Sequence, residues 1–297
     1  AAMSTAAYYA ALEYAKTRRQ GRNVSQKDPT LPPVPIIEHA DVKRMLLFQR
    51  AVNEGGVSVL MQCSKYLDLQ HVVSDEEKEK YILLLEILTP IAKTYPSEMG
   101  IQAISQGLQC LGGSGYCDDY PLEQYYRDAR IHPIHEGTTG IQAMDLLGRK
   151  VVMQNGRAFR LLMTEIGNAV STAMAFAALK EPARQLESAL SNLQEVTGYL
   201  LKIAQEKGPE YFLADASLYL ELFGIVAVAW QWLLQGIAAQ DALGNEVKKK
   251  DLNFYQGKMA ALSYFFGYEL PKASGLTQRL MQTDGLTVDM GTALFND

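Results

Sequence analysis

The sequence predicts an all-α fold, arranged as a four-helix-type bundle followed by a second helical bundle. Apolar residues recur at helical spacing along most of the chain, and no segment has the apolar–polar alternation of a half-buried strand. Hydrophobic residues make up 48% and charged residues 21% of the 297 residues. This composition supports a sizeable core and argues against long disordered stretches.

The first helix is predicted from about Ser4 to Arg19, with Gly21 as its C-terminal stop. Residues 1–9 already have the pattern of the middle of a helix and lack the positive region of a signal peptide. We therefore expect the chain to be part of a longer polypeptide. The next segment, residues 22–38, is too rich in proline for a helix or a central strand and is predicted to be an ordered connector; its prolines are Pro29, Pro32, Pro33 and Pro35.

Three more helices are predicted to complete the first bundle. The second covers about residues 40–69, the third follows a capping-box pattern that begins at Ser74 and ends near residue 93, and the fourth covers about 97–111. Short connections between these helices are typical of an antiparallel bundle.

A glycine turn, a short helix over about residues 122–127 and a longer helix over about 138–153 follow. Asn155-Gly156 is a turn signal, and we predict the domain boundary there, giving domains at 1–155 and 156–297. The second domain is predicted to contain four long helices, at about 158–178, 181–206, 209–239 and 251–282.

Composition argues against several classes of protein. The net charge of -5 gives no basic footprint for nucleic acid. No metal site is expected, because the four histidines have no ligand spacing with the cysteines. No apolar run approaches the roughly 20 residues that span a bilayer, so no membrane span is expected. An odd count of three cysteines favours a reducing compartment, a bacterial cytoplasm or the mitochondrial matrix.

Two stretches carry candidate chemistry. Glycines 112, 113 and 115 lie between two helices, where exposed backbone amides can approach an anion closely, although such a turn is more often a plain connector. Glu136 precedes Gly137 at the start of a helix. It is either a first-turn carboxylate favoured by the helix dipole or a general base on a loop.

Taken together, the motifs resemble those of the acyl-CoA dehydrogenase family. That family has a Gln-x-x-Gly-Gly-x-Gly segment, then Pro-x-Glu, Arg-Asp-Ala and a Glu-Gly-Thr turn before a helix. The same order is found here at residues 109–115, 121–123, 127–129 and 136–138. Residues 11–22 resemble a helix end that contacts flavin pyrophosphate. Residues 22–38, 41–46, 254–258 and 260–266 look like the longer members, which have an extra C-terminal helical domain.

The resemblance implies an FAD enzyme that desaturates acyl-CoA thioesters at the α,β position. Glu136 would remove the α-proton while hydride leaves the β-carbon for the flavin, and its backbone N–H would help hold the thioester carbonyl. Cofactor contacts are implied for six residues. Thr138 would contact the flavin of its own subunit, and Arg18, Gln20, Gln109 and Gly113 that of a neighbouring subunit. The six are Arg18, Gln20, Gln109, Gly112, Gly113 and Thr138.

The resemblance also implies an electron-transfer flavoprotein or similar acceptor and a homodimer or homotetramer. His135 stands where the family often has tyrosine, and Gly140 stands where many members have a polar cofactor contact. The domains that bind most of the flavin and acyl-CoA in this family have no counterpart in this sequence, so we expect the chain alone to lack a complete active site. The alternative hypothesis is a helical oligomerisation module without catalysis; a DNA-associated member of the family is disfavoured by the acidic balance.

Overall fold

The structure, a computed structural model, describes residues 1–25, 28 and 30–296, with the backbone alone at residue 76. This part of the chain is helical, and it contains one isolated antiparallel bridge, between Arg19 and Pro35, and no sheet strand. The all-α prediction is confirmed. The α-helices are α1 (Ala2–Thr17), α2 (Ala40–Leu69), α3 (Asp75–Leu111), α4 (Leu122–Ala129), α5 (Thr139–Asp145), α6 (Met153–Ala173), α7 (Lys180–Glu206), α8 (Pro209–Leu213), α9 (Ala216–Gly244), α10 (Lys249–Tyr264), α11 (Lys272–Leu280) and α12 (Leu286–Asp289).

The helices form two compact units. The first consists of Ala1–Val57 and Thr94–Glu136, and the second of Ser58–Lys93 and Gly137–Asp297. Helices α2 and α3 each contribute residues to both units, so neither unit is continuous in sequence. The domain boundary at residue 155 stays a prediction.

The core of the first unit is built from small residues on α1. Ala7, Ala11 and Ala15 are fully buried, and their spacing of four residues places them on one face of the helix. Alanine on a buried face lets a neighbouring helix approach closely. The cluster also contains buried residues of α2, α3 and α4, among them Met45, Leu46, Ile104, Leu111 and Leu122.

The proline-rich connector is ordered where it is described. Gln20 N–H donates to the Val34 carbonyl at 3.0 Å, and Ile36 N–H donates to the Arg18 carbonyl at 2.8 Å. The chain therefore runs antiparallel to the end of α1, as the expected connector over a surface. Pro29, with Gln26 and Lys27, lies outside the described residues.

The third and fourth predicted helices are one helix, and that part of the prediction was wrong. Helix α3 runs without interruption for 37 residues, through Pro90 and Pro96. A proline inside a helix costs roughly 3 kcal/mol. Continuous burial along α3 offsets this cost, since Leu84, Ile87, Leu88, Ile91, Tyr95, Ile101 and Ile104 are all buried.

Helix α9 is the centre of the second unit and packs against α5, α6, α7, α10 and α11. It is 29 residues long and apolar enough to cross a membrane by length and composition. The helix predicted over about residues 209–239 covers most of its length. Most of its residues are buried within the unit, which is what the central helix of a helical core requires; the absence of a membrane span stays a prediction.

Two of the long helices predicted for the C-terminal half are broken, and the prediction was wrong there. The helix predicted over 209–239 is interrupted between α8 and α9, where Asp215 takes the N-cap position of α9 with non-helical backbone angles. The helix predicted over 251–282 is interrupted after the π-helical segment Phe265–Glu269. Pro271, which has no N–H to donate to a continuing helix, occupies the N-cap position of α11.

The predicted Asn155-Gly156 turn is present as a sharp kink near the start of α6. Gln154, Asn155 and Gly156 have φ angles of 50°, 55° and 78°. Helix α5 continues as the π-helical segment Leu146–Lys150. The three successive residues in the left-handed region then end this helix.

Candidate functional site

The end of α1 presents Arg18 and Gln20 to solvent. Both side chains are exposed, while their backbones are fixed: Arg18 N–H donates to the Tyr14 carbonyl at 2.9 Å and Gln20 N–H pairs with Val34. His39 Nε2 also lies 2.7 Å from the Gln20 carbonyl oxygen. A cationic and an amide side chain thus extend from a well-anchored backbone.

The glycine turn after α3 is open at two positions and closed at a third. Gly112 has φ +59°, and a Cβ built on Gly112 or Gly113 would meet no described atom within 4 Å. A Cβ on Gly115 would lie 2.8 Å from the Leu108 carbonyl oxygen. Gly115 is therefore needed for packing, whereas Gly113 leaves exposed backbone to which a ligand has access. Gln109 is exposed on the last turn of α3.

Tyr14 connects the glycine turn to α1. Its hydroxyl donates to Ser114 Oγ at 3.5 Å, and its ring packs edge-on against Tyr120 with centroids 5.5 Å apart. The structure therefore brings the helix end that carries Arg18 and the turn that carries Gly113 to the same side of the first unit. Sequence reasoning did not single out Tyr14 or His39, since neither tyrosine at helical spacing nor a lone histidine is a distinctive signal.

Cys110, which lies beside the glycine turn, is not a reactive thiol. It is buried, and this burial raises the pKa of the thiol to about 11. A thiol that stays protonated at neutral pH is a weak nucleophile. Cys110 belongs to the core, as its small apolar side chain suggests.

Glu136 ends the first unit on a loop of consecutive turns. His132 N–H donates to the Ala129 carbonyl at 3.1 Å, and His135 N–H donates to the Ile131 carbonyl at 3.1 Å. The rings of His132 and His135 lie 5.5 Å apart. Glu136 itself has φ 48°, a conformation that costs a non-glycine residue free energy; residues strained in this way cluster at functional sites. Its side chain is exposed.

A cleft of about 320 Å³ lies in the same unit. Its lining includes the start of α1, Gly100 and Ile104 of α3, and Ala129 and His132 just before the Glu136 loop. The walls are mostly apolar, so the cleft suits a hydrocarbon group better than a charged one.

Thr138 belongs to the second unit, where it caps α5. Its hydroxyl oxygen accepts from Ile141 N–H at 3.3 Å. A threonine hydroxyl that accepts a hydrogen bond still has its own proton to donate, so capping is compatible with a ligand contact. Gly137 has φ +89°, a backbone conformation that residues with a side chain rarely adopt, which explains why glycine follows Glu136.

The first unit fits a phosphate-bearing cofactor on its own geometry. Arg18 supplies an exposed positive charge, and the open glycine turn leaves the backbone accessible at Gly112 and Gly113. Both are features that bind phosphate oxygens. Within the residues that the structure describes, no group of three or more His, Cys, Asp or Glu side chains could hold a metal ion.

Two known protein families match this chain. Residues 1–152 match the family described as "Acyl-CoA dehydrogenase, C-terminal domain". Residues 162–291 match a second family, "Acetyl-CoA dehydrogenase C-terminal like". The chain belongs to the acyl-CoA dehydrogenase family, which confirms the resemblance in its motifs.

Two curated relatives are similar over nearly the whole chain. A broad-specificity linear acyl-CoA dehydrogenase of Mycobacterium tuberculosis is 32% identical over 97% of this chain and 48% of its own length. A 3-methylmercaptopropionyl-CoA dehydrogenase of Ruegeria pomeroyi is 36% identical over 95% of this chain and 47% of its own length. The chain thus spans about half the length of the curated relatives it matches.

Solved structures show the same fold. An acyl-CoA dehydrogenase family protein of Caenorhabditis elegans, crystallised with C11-CoA, matches 98% of this chain and 45% of its own with a TM-score of 0.73 and 20% identity. An acyl-CoA dehydrogenase of Bacillus anthracis, complexed with FAD, matches 99% of this chain and 48% of its own with a TM-score of 0.68 and 17% identity.

Proposed function

We propose that this chain is the C-terminal part of an FAD-dependent acyl-CoA dehydrogenase and that Glu136 is its catalytic base. The observation that carries the proposal is the left-handed backbone of Glu136, φ 48°, in the Glu-Gly-Thr turn of a chain that belongs to this family. Backbone strain at an exposed carboxylate has no evident use in packing, and it fixes the direction of the side chain.

In this reaction the Glu136 carboxylate takes the α-proton of the acyl thioester. The electron pair of the broken C–H bond forms the Cα=Cβ double bond as hydride leaves the β-carbon, and a bound flavin supplies the hydride acceptor. The backbone N–H of Glu136 would hold the thioester carbonyl, which makes the α-proton more acidic. The apolar cleft beside the loop would take the acyl chain.

Cofactor binding is proposed for the exposed groups described above. Arg18 and Gln20 would reach the flavin from the end of α1, with Gln109 and the amides of Gly112 and Gly113 beside them. Thr138 would donate its hydroxyl proton to the cofactor of its own subunit. Supporting this, the relative from Bacillus anthracis with the same fold was solved with FAD.

The partners follow from the same proposal. Acyl-CoA would be the substrate, an electron-transfer flavoprotein or similar carrier would receive the electrons, and the protein would be a homodimer or homotetramer. We place the reaction in a bacterial cytoplasm or the mitochondrial matrix. The structure solved with C11-CoA shows that a protein of this fold binds a CoA thioester.

Glu136→Gln in the intact protein tests the proposal, because the amide keeps the shape of the side chain and loses its basicity. We expect flavin content to be unchanged and the rate of flavin bleaching by acyl-CoA to fall by about 10²–10⁴-fold. Glu187→Gln, which alters an exposed carboxylate on α7, is the control and should leave the rate unchanged. A Glu136→Gln protein with full activity would overturn the base assignment, and a protein that never binds flavin would favour the oligomerisation module.

A further inference from the structure

A second cleft lies in the other unit, between the start of α6 and the middle of α7. Its volume is about 410 Å³, within the roughly 300–1,000 Å³ typical of small-molecule sites. Its apolar lining comes from Val151, Val152, Phe159 and Leu201, and its one charged lining residue is Arg160. The proposed dehydrogenation uses none of these residues.

The kink before this cleft holds Arg160 in place. Arg160 Nη1 donates to the Asn155 carbonyl at 2.7 Å, and that carbonyl is turned toward the guanidinium because Gln154 and Asn155 adopt left-handed angles. A Cβ on Gly156 would lie 3.2 Å from Nη1, so a larger residue would crowd the guanidinium. Left-handed angles are uncommon at non-glycine residues, and here they coincide with an arginine whose guanidinium is held by a backbone carbonyl.

The apolar side chain next to Arg160 on α6 is packed against its neighbours. Phe159 packs edge-on against Phe223, and Phe223 against Tyr219, with centroids 6.0 Å and 5.9 Å apart. The Thr197 hydroxyl is occupied within the protein, since it donates to the Leu193 carbonyl at 2.6 Å and lies 2.7 Å from the Tyr219 hydroxyl. Gly198 faces open space, with no described atom within 4 Å of a built Cβ. The room in the cleft therefore depends on glycine at this position.

Acidic groups near the kink are already neutralised. Glu79 accepts hydrogen bonds from Arg157 at 2.5 Å and from Gln154 at 2.9 Å. The side chains that line the cleft include no carboxylate. An anion beside Arg160 would therefore meet a net positive environment, with the Gln194 amide as a further donor.

We propose that this cleft binds a medium-chain carboxylate, with the carboxylate on Arg160 and the hydrocarbon against Phe159 and Leu201. Arg160 has four further N–H donors besides the one on Asn155, which is enough for a two-oxygen contact with a carboxylate. At roughly 30 Å³ for a water-sized group, a cleft of about 410 Å³ has room for about 14 such groups. Decanoate is small enough to fit in this volume. The site is separate from the proposed flavin chemistry and does not depend on it.

Photoaffinity labelling of the intact protein tests the site directly. The probe is decanoate that carries a diazirine near its methyl end, and mass spectrometry locates the labelled peptides. We expect label in the peptides that contain residues 151–160 and 194–201, and we expect excess decanoate to compete it away. Gly198→Leu, which fills the cleft, should abolish this label, whereas Gly167→Leu, an open helical position on α6 outside the cleft, should leave it unchanged.

Arg160→Gln tests the charge of the site, and we expect about tenfold weaker binding of decanoate by calorimetry, with circular dichroism unchanged. Decanamide, which has the same chain and no charge, should bind the native protein about as weakly as decanoate binds Arg160→Gln. Label found only outside these two peptides, or decanamide binding as tightly as decanoate, would overturn the proposal. Loss of dehydrogenase activity in the Glu136→Gln protein would leave this labelling unaffected, so the two proposals fail separately.

Discussion

His39 Nε2 lies 2.7 Å from the backbone carbonyl oxygen of Gln20. A carbonyl oxygen only accepts hydrogen bonds, so the imidazole must donate from Nε2. The His39 ring also lies 3.3 Å from the Cβ position of Gly21, whose φ is +69°. His39 thus holds the chain just after α1, in the segment that we propose to contact the flavin.

His39→Ala removes this hydrogen bond, and we expect the free energy of unfolding to fall by about 0.5–1.5 kcal/mol. Flavin affinity of the intact protein should fall several-fold, because Gln20 loses its support. His71→Ala, at an exposed histidine just after α2, is the control and should change neither quantity. Denaturant titration and flavin titration measure the two effects. Unchanged flavin affinity would mean that Gln20 is held well enough by Val34.

Gly113 and Gly115 form a matched pair in the glycine turn. A Cβ at Gly113 would meet no described atom within 4 Å, whereas one at Gly115 would lie 2.8 Å from the Leu108 carbonyl oxygen. We expect Gly113→Val to keep the stability of the protein and to weaken FAD binding at least tenfold. Gly115→Ala should lower the free energy of unfolding by about 1–3 kcal/mol through overpacking. Native flavin affinity in the Gly113→Val protein would contradict the proposed cofactor contact.

The helical class and most helix positions could be predicted from the sequence, because apolar spacing reports which face of a helix is buried. The predicted bounds of α2 agree with the structure, and α1 and α4 agree within a few residues. Helix α3 could not be predicted as one piece. Pro96 signals a break locally, and the buried residues that keep the helix continuous are recognisable only once its packing is known.

The candidate site was predictable as motifs and much less so as geometry. The order of short motifs around Gln109 and Glu136 pointed to the family, which comparison confirmed. The left-handed angle of Glu136 could not be anticipated, since glutamate has no preference for that region. The link from Tyr14 to Ser114 joins residues 100 positions apart, and no local pattern predicts such a contact.

Arg279 binds two carboxylates near the C-terminal end of the second unit, and this gives a pH dependence. It lies 2.6 Å from Asp284 and 3.0 Å from Asp215. The Arg279 guanidinium lowers the pKa of Asp284 from 3.8 to about 2. A carboxyl group with a lower pKa in the folded state stabilises the fold above its unfolded pKa, and this contribution is lost as the pH falls from about 4 to about 2.

We therefore expect Asp284→Asn to be less stable than the native protein at about pH 5 and to approach it at about pH 2. Denaturant midpoints measured across this range give the comparison. Asp241→Asn, at an exposed aspartate on α9, should show no such convergence. A stability difference for Asp284→Asn that is the same at both ends of the range would show that the ion pair with Arg279 does not form.

Two helical glycines in the second unit should respond to alanine in opposite ways. A Cβ on Gly236 of α9 would overlap Leu262 of α10 and lie 3.0 Å from Leu179 Cδ2, whereas one on Gly167 of α6 meets no described atom within 4 Å. Gly167→Ala should raise the free energy of unfolding by about 0.5–1 kcal/mol, because alanine loses less backbone entropy on folding. Gly236→Ala has the same favourable entropy effect, but overpacking lowers its free energy of unfolding by about 1–3 kcal/mol. Its net effect should therefore be destabilising. Urea denaturation of the two variants measures both; if Gly236→Ala were stabilised as much as Gly167→Ala, α9 and α10 could not pack as closely as described.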